Sequence, residues 1–536
     1  MKRIQRAARA ALGFELRPAQ LYAVKAVLDG RDTLVVMPTG SGKSAVYQVA
    51  GVLIDGPTVV VSPLIALQRD QVESLDEADA GEAAALNSSR PESERREALE
   101  RFGVDARLEF LLLAPEQLAN EETVAELADA KPSLLVVDEA HCISEWGHDF
   151  RPEYLRLGAA AEVLGRPRIL ALTATASPPV REEIVERLGL RDPHVVVHGF
   201  DRPNLHLAVE TFHDEEAKDE ALLDAVGAAA KPGIVYAATR RAAEQLAEAL
   251  AERDLRAAPY HAGLRKGERD EAHERFMEDE LDVIVATTAF GMGVDKPNIR
   301  FVFHHAIADS VDSYYQEIGR AGRDGEPADA RLFYRPEDVG LRRFFAGAGN
   351  VEVDEVARVA EAVAEHRGPV EPGVLQAQTE LGQTKLATAL SRLEEVGAVE
   401  ILPTGEVECD GPIEAGEIEA AAEAQENRRA FDRSRVDMIR AYAELRDCRR
   451  EFLLNYFGEP FDPPCVSCDR CEAGEVEAQP TDVPFELGAR VRHDEWGEGA
   501  VQRYDGDTMV VLFDEVGYKT LGVELVLEHE LLAPAR

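Results

Sequence analysis

The sequence predicts an α/β protein: two parallel-sheet lobes, then a helical, winged-helix-like segment, a cysteine-rich module and a small β-barrel. Three observations carry this. Short β-branched runs alternate with Ala- and Glu-rich helical stretches to about residue 335, the alternation of parallel sheets with crossover helices. Four of the six cysteines fall between Cys448 and Cys471. From Phe485 onward the chain alternates like strands around a hairpin signal at Asp505 and Gly506. A chain of 536 residues also exceeds one compact core, so several domains are expected.

In chain order, the first lobe (1–202) takes its strands from TLVVM (33–37), TVVVS (58–62), FLLLA (110–114), LLVVD (134–138) and ILALT (169–173). Continuous apolar runs of this kind suit strands covered on both faces. GFDRPN (199–204) gathers Gly, Pro and Asn and marks a hinge. The second lobe (203–340) contributes GIVYA (233–237), DVIVAT (282–287) and FVFHH (301–305). Residues 341–410 turn helical and end in TKLATALSRLEEVGAVEILPTGEVE, a helix followed by two short strands around PTGE, the pattern of a winged helix. Residues 411–473 are a helical module carrying the clustered cysteines, 474–484 an acidic linker, and 485–536 the barrel.

Net charge is −42, from 59 basic against 101 acidic residues. Nucleic-acid partners normally announce themselves by a basic surplus. Here only ten basic residues are lysine and the acids are spread along the whole chain, a composition expected of adaptation to a salty cytoplasm. Charges reach only about 3 Å at 1 M salt, so local arginine contacts still suffice for DNA. No apolar run has secretory or membrane-spanning length, and the few cysteines suit a metal better than a disulfide framework. A cytoplasmic protein in a reducing compartment, without a membrane partner, is expected.

Three motifs point to a nucleotide. VVMPTGSGKS (35–44) sets a glycine-rich turn between a strand and a helix, where the backbone around Thr39, Gly40, Ser41 and Gly42 wraps phosphates, Lys43 reaches the β- and γ-phosphates of ATP and Ser44 holds Mg²⁺. Met37 replaces the first glycine of the strict pattern. DEAH (138–141) follows the strand LLVVD; Asp138 would hold Mg²⁺, Glu139 would orient or deprotonate the attacking water, and His141 would couple rather than catalyse. In YYQEIGRAGRDG (314–325), Gln316, Arg320 and Arg323 would reach the nucleotide from the second lobe, one arginine neutralising transition-state charge. The bland readings are a tight turn, a helix cap and a surface arginine cluster.

CISEWGHDFRPEY (142–154), directly after DEAH, resembles the aromatic-rich loop of the RecQ family of superfamily 2 DNA helicases. FELRPAQ (14–20), VVSPLIALQRDQV (60–72), ALTATA (171–176), FDRPN (200–204), YHAGL (260–264) and TTAFGMGVDKPNIR (287–300) look like that family's remaining motor motifs, continuously from Phe14 to about Tyr334. The resemblance implies two RecA-like lobes and ATP-driven 3′→5′ unwinding in DNA repair or recombination. It implies adenine contacts from Arg17 and Gln20, nucleotide contacts from Gly293 and Asp295, and DNA coupling through Trp146, His148, Phe150 and Arg151. Single-stranded and forked or partially duplex DNA are the implied partners. Rivals are an RNA helicase, a translocase that does not unwind, and a nucleotide-dependent DNA-binding scaffold.

Cys448, Cys465, Cys468 and Cys471 read C-x₁₆-C-x₂-C-x₂-C, enough thiolates to close a tetrahedral Zn²⁺ site, and RecQ helicases carry a similar module after the motor. The family's winged helix usually follows that module, whereas the candidate here precedes it, so the helix TKLATALSRLEEVGAV reads equally as a DNA-groove helix or a structural connector. Residues 485–532 resemble the Tudor-like barrel that ends UvrD/PcrA-type helicases, through Val491, His493, Trp496, Gly497, Gly499, Val501, Phe513, Asp514, Val516, Gly517 and Lys519. That resemblance implies RNA polymerase as a partner, with Trp496 as anchor, and a barrel whose removal spares the motor. A stabilising cap or a weak DNA-binding module are the alternatives.

Overall fold

The computed structural model describes residues 1–536 except 64–67, 69–70, 73–74, 76–81, 88–91, 103–107, 145–149, 292–293, 341–350, 403–404, 410, 412, 475, 477–482, 515 and 536. The first sheet has seven parallel strands: β1 (Thr33–Val36), β2 (Thr58–Val61), β3 (Ala83–Leu86), β4 (Phe110–Leu113), β5 (Leu134–Val137), β6 (Arg168–Thr173) and β7 (His194–Val197), in the order β3-β4-β2-β5-β6-β1-β7. The second has six: β8 (Leu205–Thr211), β9 (Gly233–Tyr236), β10 (Ala257–Tyr260), β11 (Val283–Ala286), β12 (Phe301–His304) and β13 (Ala328–Tyr334), in the order β10-β11-β9-β12-β13-β8. Side chains of β1, β2, β4, β5 and β6 are almost entirely buried, because crossover helices cover both faces of a parallel sheet.

The predicted two-lobed α/β architecture is what forms, and the chain gathers into two compact units. One unit comprises residues 1–37, 41–198 and 347–429; the other comprises 38–40, 199–346 and 430–536. In the first, the helices Val353–Ala364, Pro372–Thr379 and Gln383–Glu395 enclose their own core with the hairpin β14 (Glu400–Ile401) and β15 (Val407–Glu408), and Val370 forms a single antiparallel bridge to Val407. The expected helix followed by two short strands is present here, within a bundle of three helices. It groups with the first lobe, where the Arg156 guanidinium lies against Gly405.

In the second unit, which the long helix Ala415–Ala443 joins from residue 430 on, the helices Arg449–Tyr456 and Asp469–Ala473 pack beside β8. The chain ends in an antiparallel sheet, β19-β18-β17-β16-β20, built from β16 (Arg490–His493), β17 (Gly497–Asp505), β18 (Thr508–Phe513), β19 (Gly517–Gly522) and β20 (Ala533–Pro534). Asp505 and Gly506 sit at the predicted hairpin, with Asp505 opposite Thr508. Among the described residues no helix is long and apolar enough to cross a membrane.

Candidate functional site

Strands β5, β6 and β1 are neighbours in a parallel sheet, so their C-terminal ends lie side by side, where such sheets present functional groups. Each end carries a motif. The loop after β1 turns at Gly40 and Gly42, both at positive φ, and leads into the helix Ser44–Leu53. Gly42 needs its missing Cβ twice over: φ is +75°, and an added carbon would stand 2.8 Å from Gln20 Nε2. Gln20, 2% exposed, donates from Nε2 to the Ser41 and Gly42 carbonyls, each at 2.9 Å, while its Oε1 accepts from the Arg17 N–H at 2.7 Å. The residue read as an adenine contact thus clamps the phosphate loop here, and Arg17 is exposed beside it.

Lys43 Nζ donates to the Met37 carbonyl at 3.1 Å, a main-chain contact that is indifferent to the side chain at that position. Asp138, 7% exposed, closes the end of β5. Burial pushes its carboxyl above the ordinary range, opposed by the Lys43 charge, the Gln71 amide at 3.3 Å and the Glu139 N–H. A buried carboxylate beside Lys43, with the Ser44 hydroxyl at the start of the following helix, is a hard-oxygen donor set that fits Mg²⁺. Glu139 adopts a left-handed backbone at φ 48°, a strained position for a residue with a Cβ, of the kind that clusters at working sites. His141 is fully buried: Nδ1 lies 2.8 Å from Thr173 Oγ1 and 3.4 Å from Glu139 Oε2. It therefore joins the DEAH segment to the end of β6.

Of the aromatic-rich loop, Trp146 and His148 lie outside the described residues, as does Gly293. Phe150 is half-buried, and Arg151 Nη1 donates to the Pro63 carbonyl at 3.1 Å. In the second unit, Gln316 lies on the helix Val311–Ile318, and Arg320 and Arg323 on the turn after it. Arg320 is 2% exposed and sits beside the Tyr236 hydroxyl, which donates to the Phe290 carbonyl at 2.8 Å. Arg323 pairs with Asp295 at 2.5 Å; burial and the Arg320 charge lower its pKa, with Asp295 opposing. Sequence reasoning missed the residues that shape this turn. Arg202 donates to the carbonyls of Gly319, Ala321 and Gly322, and Asn204 to those of Gly322 and Glu326. FDRPN was legible as a hinge, but its grip on a turn more than a hundred residues away was not.

The four cysteines converge, their sulfurs all within 4.8 Å of one another. Sulfurs on a tetrahedron with Zn–S bonds of about 2.3 Å stand about 3.8 Å apart, and Cys465 and Cys471 Sγ are separated by 3.7 Å. Hydrogen bonds among the clustered thiols hold Cys468 below its ordinary pKa and push Cys448 and Cys465 above theirs, the signature of sulfurs crowded onto one centre. The donor set fits Zn²⁺. This module also finishes the second sheet: edge strand β8 gives its Leu207 N–H to the Ser467 carbonyl at 3.3 Å and its Val209 N–H to Asp469 at 3.0 Å, and takes Arg450 on the Leu205 carbonyl at 2.7 Å. Arg449, fully buried, secures Asp469 at 2.6 Å.

Residues 17–184 match the DEAD/DEAH box helicase family, 217–325 the helicase conserved C-terminal domain and 413–472 the RecQ zinc-binding family. Among curated proteins, the chain is 36% identical over 464 residues to an ATP-dependent DNA helicase RecQ of Pasteurella multocida, covering 86% of this chain and 61% of that one. It is 41% identical over 363 residues to a probable ATP-dependent DNA helicase RecS of Bacillus subtilis, covering 67% of this chain and 72% of that one. The Pasteurella protein is thus matched over less than two thirds of its length. A solved DUF1998 helicase MrfA bound to DNA aligns at 17% identity and TM-score 0.52, over 78% of this chain and 63% of that chain, a likeness of fold alone.

Proposed function

The chain belongs to the RecQ family of ATP-dependent DNA helicases, and from that premise we propose that it couples ATP hydrolysis to 3′→5′ movement along single-stranded DNA and to duplex unwinding. The observation that carries this reading is the row of strand ends holding Lys43, Asp138, Glu139, His141 and Thr173 within one parallel sheet. Thr39 to Gly42 and Lys43 cradle the triphosphate, Glu139 orients the attacking water, and Gln316, Arg320 and Arg323 serve the γ-phosphate as charge develops. Mg²⁺, when bound, neutralises phosphate charge, and Asp138 and Ser44 would hold it. Arg17 and Gln20 serve the adenine, and Gly293 and Asp295 the nucleotide. Trp146, His148, Phe150 and Arg151 report bound single strands to the site, aromatics by stacking and arginine on phosphate. The enzyme works in the cytoplasm on forked or partially duplex DNA, in repair or recombination.

Strand displacement on DNA and RNA duplexes with 3′ or 5′ overhangs tests this directly. Unwinding of 3′-tailed DNA, lost in Lys43→Ala and in Glu139→Gln with ATP binding retained in the latter, is expected. Wild-type turnover in either variant rejects the site. ATPase without unwinding leaves a translocase, and no turnover at all leaves a scaffold. RNA polymerase remains proposed for the terminal barrel on its sequence resemblance, checked by co-purification. Trp496 is a poor anchor for it, being packed by His493 at 4.1 Å, Phe513 at 5.4 Å and Lys519 Nζ at 5.5 Å within its own sheet.

A further inference from the structure

The turn Val516–Gly517–Tyr518–Lys519, part of the barrel's sequence signature, is occupied by the chain itself. Gly517 has φ +75°, and a Cβ there would stand 2.3 Å from Ser434 Oγ and 2.9 Å from the Phe431 ring, so the strand backbone lies directly on the helix Ala415–Ala443. The Tyr518 N–H donates to Ser434 Oγ at 3.0 Å. Its ring, in a residue 7% exposed, stacks on Tyr456 with centroids 5.5 Å apart and planes 24° from parallel. Tyr456, 3% exposed, donates its hydroxyl to Asp312 Oδ2 at 2.5 Å. Asp312 lies in the first turn of Val311–Ile318, the helix that carries Gln316. Its N-cap Ser310 is fully buried and accepts from Arg435 Nη2 at 3.0 Å. A second contact places the Arg503 guanidinium of β17 over the Phe452 ring at 4.5 Å.

We propose that the terminal barrel is a fixed brace of the second lobe, acting through Tyr518, Tyr456 and Asp312 to position the Val311–Ile318 helix and the Gln316, Arg320 and Arg323 side chains on and after it. Dry stacked rings and a buried, satisfied carboxylate are core chemistry, whereas a tethered recruitment module would leave this turn exposed. The barrel's removal therefore perturbs the motor, contrary to the expectation from sequence. The positioning role rests on the reading of those three side chains as nucleotide-facing; the brace itself does not.

Hydrogen exchange and steady-state ATPase on the full chain test both parts. In Tyr518→Ala, amides of residues 311–318 should exchange about tenfold faster, the scale of one lost aromatic pair, and in Asp312→Asn those of 517–522 should do the same. Tyr518→Ala should lower kcat several-fold with the KM for ATP unchanged, and Tyr518→Phe should restore both readouts. Unchanged exchange at 311–318, with the barrel amides still protected, overturns the brace. If Tyr518→Ala unfolds the barrel, Asp312→Asn decides: unchanged exchange at 517–522 overturns it. Coupled exchange with an unaltered kcat overturns the positioning role. A wild-type chain without ATPase rejects the nucleotide reading and leaves the exchange arms to judge the brace.

Discussion

His141 is fully buried, and the Glu139 and Thr173 side chains beside its Nδ1 come from different strand ends. Removing it strands the buried Thr173 hydroxyl on the Thr175 backbone alone. One hydrogen bond is worth about 0.5–1.5 kcal/mol net, so a coupling step that relies on this contact should slow about 2- to 13-fold in His141→Ala while ATP binding persists, and Thr173→Val should copy it. Stopped-flow nucleotide binding beside DNA-stimulated ATPase checks this; wild-type stimulation in both variants would reject the link. Lys43, Asp138, Glu139 and His141 were legible in sequence because phosphate and metal chemistry demands those residues at fixed short spacings. Gln71, Thr173 and Arg202 were not, since each meets its partner across a separation that only the folded sheet closes. Gln20 was legible as a site residue, but its grip on the Ser41 and Gly42 carbonyls was invisible to spacing.

Within the two parallel sheets, every strand read from the sequence lies in the interior, and of the five parallel strands that escaped, β3, β7, β8 and β10 are the four sheet edges. Interior strands bury both faces and read as apolar runs; edges do not. β3 is AAAL, β7 is only half-buried, and β10 carries Pro259, which an edge tolerates. The fifth, β13, alternates buried and half-buried residues along its first half. The cysteine module was legible from its spacing alone, because four ligands and a tetrahedron leave few other uses for C-x₂-C-x₂-C. Purified protein should hold one Zn²⁺ per chain. Cys468→Ser should lose it and melt at lower temperature, by metal analysis and calorimetry; a zinc-free wild type, or a variant that keeps its metal, would reject the assignment.

At the scale of the molecule, 101 acidic residues against 59 basic ones make self-repulsion a term that salt controls. Screening shortens from about 10 Å at 0.1 M to about 3 Å at 1 M, so the melting temperature should rise over that range of KCl; a steady fall would show that attractive pairs outweigh the repulsion. Lobes, cysteine module and the terminal antiparallel β domain were all readable, since each has its own residue pattern. Which piece packs on which was not: the winged-helix-like segment groups with the first lobe and the barrel with the second, through single residues such as Gly405 and Gly517 that no periodicity marks. The cover on β8 also sets a schedule. Val209 and the carboxylate that caps it are 260 residues apart in sequence. At ribosomal speeds of about 5–20 residues per second, that open edge waits on the order of tens of seconds for the segment that closes it. Until then the outer edge of β8, whose other side pairs with β13, stays open to strands of neighbouring chains, so protein made without zinc should scatter more light on refolding than protein made with it.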